Sequence, residues 1–266
     1  MKIAVIGCGN MGMAYVHSFV KQGIVNNNTL LLIEKLETKK KELEILNIGT
    51  VTNEINHTIS SYDYVIIAVK PQDFTTTASE VLKFRTKDQV FISIMAGITI
   101  SKIADLLETN KVVRAMPNTP AQINMGVTAY ASTNEISESE LKDVNTILSS
   151  TGKTVSLPSE DLLDAVTAVS GSGPAYYFYF VKNMIEAGTK LGLTEEMADT
   201  LVKQTMIGSY HLMMNSPKSL DELIASVKSK GGTTEAALIN FENRKVGEAI
   251  IESLDKAEKR AKELSK

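Results

Sequence analysis

Short unbroken apolar runs punctuate the first half of the chain: Ile3 to Ile6, Leu30 to Ile33, Val65 to Val69, Val90 to Ile94 and Val112 to Met116. Each is too short for a stable helix, and continuous apolar character suits a parallel strand covered on both faces. Longer stretches such as Glu37 to Leu46 and Phe74 to Leu82 lie between them and carry helical spacing. This alternation predicts βα units in a doubly wound sheet, an α/β Rossmann-like domain. Val127 to Ala131 and Thr154 to Leu157 add outer strands, with a helix over 137–149 between them.

Beyond Pro158 no further series of strands is evident. Pro174 suits the first turn of a helix reaching Leu191, and Gly192 supplies its end. Thr194 caps the next helix, with Glu195 and Glu196 near its positive end. Asn215 to Ser219 reads as a break containing Pro217, followed by short helices over 220–227 and 234–241. In the last helix Val246, Ile250, Leu254, Ala257, Ala261 and Leu264 form one apolar stripe. The pattern therefore predicts a Rossmann-like domain over 1–158 and an all-helical domain over 159–266. The run Tyr176-Tyr177-Phe178-Tyr179-Phe180 puts aromatics around most of a helix circumference. A central place in a monomer core or a subunit interface would bury them on several sides, and the small size of the helical part favours the second, so self-association through it is expected.

Composition narrows the function classes. The chain has 266 residues, 43 % apolar and 22 % charged, which is an ordinary globular balance. Its formal charge of −3 argues against a surface that coats nucleic acid. One cysteine allows no intrachain disulfide and no thiolate cluster. His17, His57 and His211 are too scattered in sequence for a ligand spacing, so no metal is expected. The opening run Ile3–Ile6 is too short for a signal-peptide core, and no stretch has the length of a membrane span. A cytoplasmic protein that does not engage membranes is the expectation.

Gly7-Cys8-Gly9-Asn10-Met11-Gly12 follows a predicted strand and opens a helix. In that context Gly7 permits a tight turn, Gly9 lets backbone approach a pyrophosphate, and Gly12 allows close helix–sheet packing. N–H groups at the helix start then meet the phosphate charge. A dinucleotide, NADH or NADPH, is the predicted cofactor. Glu34 ends the next strand at the distance expected for a ribose-binding carboxylate, which favours NADH. Lys35 and the run Lys39-Lys40-Lys41 keep a 2′-phosphate in contention.

Three more strand ends reach the same expected ligand edge. Ala68-Val69-Lys70-Pro71 offers a small residue, a lysine and a stiff turn. Met95-Ala96-Gly97 leaves room for close nicotinamide approach, and prolines hold a loop presenting Asn118 and Thr119. Arg114 suits either an ion pair or a substrate clamp.

The second half adds two glycine-bracketed segments. Ser170-Gly171-Ser172-Gly173-Pro174 leads into a helix, with Ser172 a candidate cap and ligand contact. Gly231-Gly232-Thr233-Thr234 precedes another helix and can form an anion nest for a small carboxylate, with one threonine capping and the other donating.

Taken in order, Gly7 to Gly12, Ala68 to Pro71, Asn118 to Pro120, Ala168 to Tyr176 and Gly231 to Thr234 resemble the motifs of the pyrroline-5-carboxylate reductase family over nearly the whole chain. Ser229-Lys230 departs from the Ser-Pro common in that family before the two glycines. The resemblance implies reduction of (S)-1-pyrroline-5-carboxylate to L-proline, the final step of proline synthesis, by hydride from NADH or NADPH. It also implies an interlocked dimer, in some members a ring of dimers. The substrate pocket would lie between the cofactor domain and helices of two subunits. By the same resemblance Gly231 to Thr234 contact the substrate carboxylate, Asn118 and Thr119 hold the nicotinamide end, and Asn56 meets the adenosine ribose. Thr234 is the residue expected to act at the reacting ring, by orientation more than as an acid. A β-hydroxyacid dehydrogenase, or a dinucleotide-binding regulator without turnover, are the alternatives from the motifs alone.

Overall fold

Strand β1 (Ile3–Ile6) is buried at all of its positions, which is why it shows no polar alternation. The computed structural model describes residues 1–265. After β1 come α1 (Asn10–Lys21), β2 (Leu30–Ile33), α2 (Glu37–Leu46), β3 (Thr50–Thr52), β4 (Tyr64–Ile67), α3 (Phe74–Val81), β5 (Val90–Ser93) and α4 (Ile100–Leu107). β6 (Val112–Met116), β7 (Gly126–Ser132), α5 (Glu138–Ser149), β8 (Gly152–Ser156) and α6 (Leu163–Val166) follow. Among the described residues one sheet contains all eight strands, in the order β3-β2-β1-β4-β5-β6-β7-β8. β1 pairs in parallel with both β2 and β4, so the strand order reverses beside it. In such sheets ligands bind at that switch point, beyond the strand carboxyl ends. β7 runs antiparallel to β6 and parallel to β8.

Strand alternation divides the core between the two faces of the sheet. Ile3 and Val5 pack with Tyr15, Val16 and Phe19 of α1 and with Val144 and Ile147 of α5. Ala4 and Ile6 pack with Phe74, Ala78 and Val81 of α3 and with Ile103 and Leu107 of α4. Three elements are absent from the sequence prediction, among them the short α6, which buries only Leu163. β3 is a short edge strand reading Thr-Val-Thr, too polar to stand out. In α4 Thr99 caps by accepting from Lys102 N–H at 3.2 Å, and the helix buries only Ile103 and Leu107.

The remaining helices are α7 (Gly173–Lys190), α8 (Glu195–Asn215), α9 (Leu220–Val227), α10 (Thr233–Asn243) and α11 (Val246–Leu264). By compactness the first unit continues past the expected Pro158 boundary to Gly173 and regains the chain from Ala257 onward. The reason is local: Leu163 packs against Ala129 and Ala131 of β7, so α6 belongs to the sheet. The second unit, Pro174 to Lys256, is helical and carries many exposed apolar side chains. Tyr177, Phe178 and Tyr179 are 63 %, 67 % and 71 % exposed, which is the unburied aromatic surface that the sequence predicts. Among the described residues no helix is long and apolar enough to cross a membrane.

Candidate active site

The loops after β1, β2, β4, β5 and β6 emerge along one edge, because these five strands are mutually parallel. The glycine turn occupies its centre. Gly7 has φ +92°, a conformation that favours glycine, and an added Cβ would lie 2.8 Å from the Ala68 carbonyl oxygen. At Gly12 an added Cβ would fall on the Gly7 carbonyl oxygen. Gly9 differs: its Cβ direction is open, with nothing within 4 Å. Gly9 is also the N-cap of α1 and makes no side-chain cap hydrogen bond, and the first turn holds no acidic residue. The first intrahelical bond runs from Met13 N–H to the Gly9 carbonyl at 2.9 Å, so Asn10, Met11 and Gly12 precede the ladder. An uncapped helix start beside an open glycine suits an anionic pyrophosphate.

Glu34 sits immediately after β2 and is buried. Its two carboxylate oxygens face opposite loops: Oε2 accepts from Cys8 N–H at 3.1 Å and Oε1 from Leu36 N–H at 3.1 Å. It thereby ties the glycine turn to the turn before α2. Lys35 beside it is exposed. Burial, and then the nearby Glu34 carboxylate, push the Cys8 thiol up to about 12. Cys8 is therefore expected to remain unmodified by iodoacetamide at pH 8 in the native protein and to react once the chain is unfolded. Mass spectrometry of alkylated protein with and without denaturant checks this, and rapid native labelling would contradict it.

Asn56 caps a short helical turn, its side-chain oxygen accepting from Thr58 N–H at 3.0 Å, which leaves the amide NH2 for other contacts. Ala68 and Val69 are half-buried behind the glycine turn, whereas Lys70 and Pro71 are exposed. Met95 is buried, Ala96 is exposed, and Gly97 adopts φ +74°. Asn118 is oriented by its own hydrogen bonds: its Oδ1 accepts from Val127 N–H at 3.0 Å and its Nδ2 donates to Ser170 Oγ at 3.4 Å. Thr119 next to it is exposed.

The Ser170 contact was not legible in the sequence. Thr167–Gly171 forms one π-helical turn, a geometry that often marks functional sites. That turn brings Ser170 to Asn118 and Gly171 against Met116, whose Cε would collide with a Cβ at Gly171. The expectation that Ser172 caps a helix is corrected. Its φ of −84° and ψ of −18° are helical, and its N–H already donates to the Thr167 carbonyl at 2.8 Å. Arg114 resolves to an ion-pair partner: it is buried, 3.2 Å from Glu160 and 3.6 Å from Asp164.

In the helical unit the loop before α10 keeps its glycine geometry. Gly231 has φ +73°, and a Cβ on Gly232 would collide with Ser229 Oγ. The expected threonine cap is corrected, since Gly232 is the N-cap and receives no side-chain cap bond. Thr233 and Thr234 are the first two helical residues. Glu235 reaches back so that its Oε2 accepts from Gly231 N–H at 2.6 Å. A glutamate three residues after an N-cap is half of a capping box, a signal that could have drawn attention to Glu235. In this contact the loop N–H donates to a carboxylate.

Comparison with known proteins bears on these features together. Residues 160–264 match the family model for pyrroline-5-carboxylate reductase dimerisation, and residues 2–97 match that for NADP oxidoreductase, coenzyme F420-dependent. A Staphylococcus aureus pyrroline-5-carboxylate reductase is 34 % identical over 272 residues, covering 100 % of this chain and 98 % of the relative. The structure of a Coxiella burnetii pyrroline-5-carboxylate reductase superposes with TM-score 0.91 at 31 % identity, covering 100 % of this chain and 98 % of the other. That of a Plasmodium falciparum pyrroline carboxylate reductase with NADP bound gives TM-score 0.89 at 26 % identity, with the same two coverages. With whole-length relatives at this identity, the chain belongs to the pyrroline-5-carboxylate reductase family.

Proposed function

We propose that this chain reduces (S)-1-pyrroline-5-carboxylate to L-proline with NADH or NADPH, the final step of proline biosynthesis. It is an NAD(P)H-dependent oxidoreductase that dimerises through its carboxy-terminal helices. The observation that carries the assignment is the family match along the entire chain, which includes both the glycine turn and the loop before α10. Within it, the division of roles follows the expected domains, 1–158 for the cofactor and 159–266 for substrate and self-association. A cytoplasmic location is part of the proposal, supported by use of a reduced nicotinamide cofactor. Fractionation of cells expressing the tagged chain tests it.

The residues fit such a cofactor. The start of α1, which no side chain caps, would hold the pyrophosphate, with Gly7, Gly9, Asn10, Met11 and Gly12 around it. Glu34, Lys35 and Asn56 would serve the adenosine side, Ala68, Val69, Lys70 and Pro71 would line the cofactor along the ligand edge, and Met95, Ala96, Gly97, Asn118 and Thr119 would serve the nicotinamide side. Bound there, reduced nicotinamide supplies hydride to the carbon of the protonated C=N bond. Gly231, Gly232, Thr233 and Thr234 hold the substrate carboxylate, with Ser172 as a further contact. The first intrahelical bond of α10 runs from Ala236 N–H to the Gly232 carbonyl, so the N–H groups of Thr233 and Thr234 precede the ladder and suit that anion, whereas those of Gly231 and Gly232 already donate to Glu235 and Ser229. Thr234 orients the ring through its hydroxyl, because threonine is too weak an acid to be an efficient proton donor at neutral pH. Rate enhancement rests on alignment of the reacting carbons.

A spectroscopic assay with pyrroline-5-carboxylate and each reduced cofactor tests the function: loss of nicotinamide absorbance must accompany proline formation. Cofactor choice carries its own prediction. Glu34→Gln keeps the side-chain shape and removes a negative charge from the end of β2, where a 2′-phosphate would be repelled. The ratio of kcat/KM with NADH to that with NADPH is expected to fall by about tenfold. An unchanged ratio would mean that Glu34 only ties the two loops together.

A further inference from the structure

Beneath the Met95–Gly97 loop lies a cluster that the reaction chemistry does not use. Gly97 faces the last turn of α11: a Cβ there would lie 2.8 Å from the Leu264 carbonyl oxygen. The next residue, Ser265, is tethered. Its hydroxyl accepts from Arg114 Nη2 at 3.5 Å and lies 3.1 Å from Asp164 Oδ1. Arg114 also donates to Glu160 Oε2 at 3.2 Å, and that oxygen accepts from Ile100 N–H at 3.0 Å, at the start of α4. The segment from Gly97 to Ile100 is thus held at both ends, by the last turn of α11 and by Glu160. Arg114 connects the two supports. It stands on β6 opposite Ser93, the last residue of β5, so the support is anchored in the sheet beside the loop. Among the members of this cluster, Arg114 is buried, which strengthens its charge-assisted hydrogen bonds.

We propose that the Leu264–Ser265 turn, pinned by Arg114, is a positioning element for the Met95–Gly97 loop, and that Arg114 and Ser265 are positioning residues for hydride transfer. The proposal rests on the assignment of that loop to the nicotinamide end. The end of α11 packs with the first unit, so the helix that begins in the helical unit finishes as the back support of the cofactor edge. Loss of the turn removes the packing behind Gly97 and leaves intact the β1–α1 region that grips the pyrophosphate.

Two variants test this, Ser265→Ala and a chain ending at Glu263, in the full dimeric enzyme. Calorimetric titration with ADP-ribose reads the adenosine half alone, titration with NADH reads the whole cofactor, and kcat and KM for the imino acid are measured alongside. Expected for the shortened chain are an ADP-ribose affinity within about twofold of the parent, weaker NADH binding, and a kcat lower by roughly tenfold, since small misplacements of reacting groups are costly. Ser265→Ala should change the same quantities in the same direction by less. Parental kcat and NADH affinity in the shortened chain would overturn the proposal. So would ADP-ribose affinity falling in step with that for NADH, which would mark general destabilisation. Ala96→Val separates the two levels: if it alters neither NADH affinity nor kcat, the loop assignment fails and the proposal with it. If Ala96→Val acts and the shortened chain does not, the proposal alone is wrong.

Discussion

Gly9→Ala weakens NADH binding by about 100-fold while the melting temperature stays within a few degrees of the parent; Gly12→Ala loses both binding and stability. The contrast arises from where each new methyl group would go. At Gly9 the Cβ direction is empty, and the backbone, at φ −67° and ψ −173°, is one that alanine adopts readily. Gly as N-cap is preferred over Ala by a modest amount, and the lower entropy of the unfolded alanine chain offsets part of it. The empty direction lies at the uncapped start of α1, so the methyl group would occupy space needed by the pyrophosphate. At Gly12 the methyl group meets the Gly7 carbonyl oxygen inside the protein, so helix and turn must separate. Overpacking of this kind costs about 1–3 kcal/mol. Thermal melts and cofactor titrations of the two variants check the prediction. Equal stability losses in both would show that the space beside Gly9 is not kept open for a ligand.

Thr234→Ala is expected to lower kcat/KM for the imino acid by about 10- to 100-fold, corresponding to the loss of one hydrogen bond to a charged ligand. Thr234 is the second residue of α10, and the N-cap ahead of it is Gly232, so its hydroxyl does not cap the helix. Alanine has the higher helix propensity, and the variant should melt at or slightly above the parent temperature. NADH affinity in the absence of imino acid should be unchanged. Steady-state kinetics with a melting curve on the same preparation reads all three quantities. Parental kcat/KM would remove Thr234 from the reaction. Lost activity together with a lowered melting temperature would make its role structural.

How far the site was legible depends on the kind of signal each residue carries. Gly7, Gly9 and Gly12 are readable because backbone conformation and close approach demand glycine at a fixed spacing. Ser170 and Glu235 carried little or no such mark. Ser170 meets Asn118 only because the chain makes a π-helical turn, and no spacing rule announces that. The threonines after Gly232 read as caps from their composition. The helix instead starts on glycine, with Glu235 reaching back to the loop. Arg114 was open between two roles because only three-dimensional proximity brings Glu160, Asp164 and Ser265 around it.

By itself the sequence determined the doubly wound sheet, the helical second half and the cofactor turn. Apolar runs buried on both sheet faces, helical periodicity and glycine requirements are all local, so they are written in consecutive residues. It missed β3, α4 and α6, whose few buried side chains left a faint pattern. The tertiary structure alone decided which polar groups face one another: Glu34 across to Cys8, Asn118 to Ser170, and the Leu264 carbonyl against Gly97. It also decided that the sheet unit extends to Gly173 and takes back the final turns of α11. Such partners lie tens to more than a hundred residues apart along the chain. A hydrogen bond depends on distance and direction in space, and neither is encoded in the spacing of one residue from its neighbours.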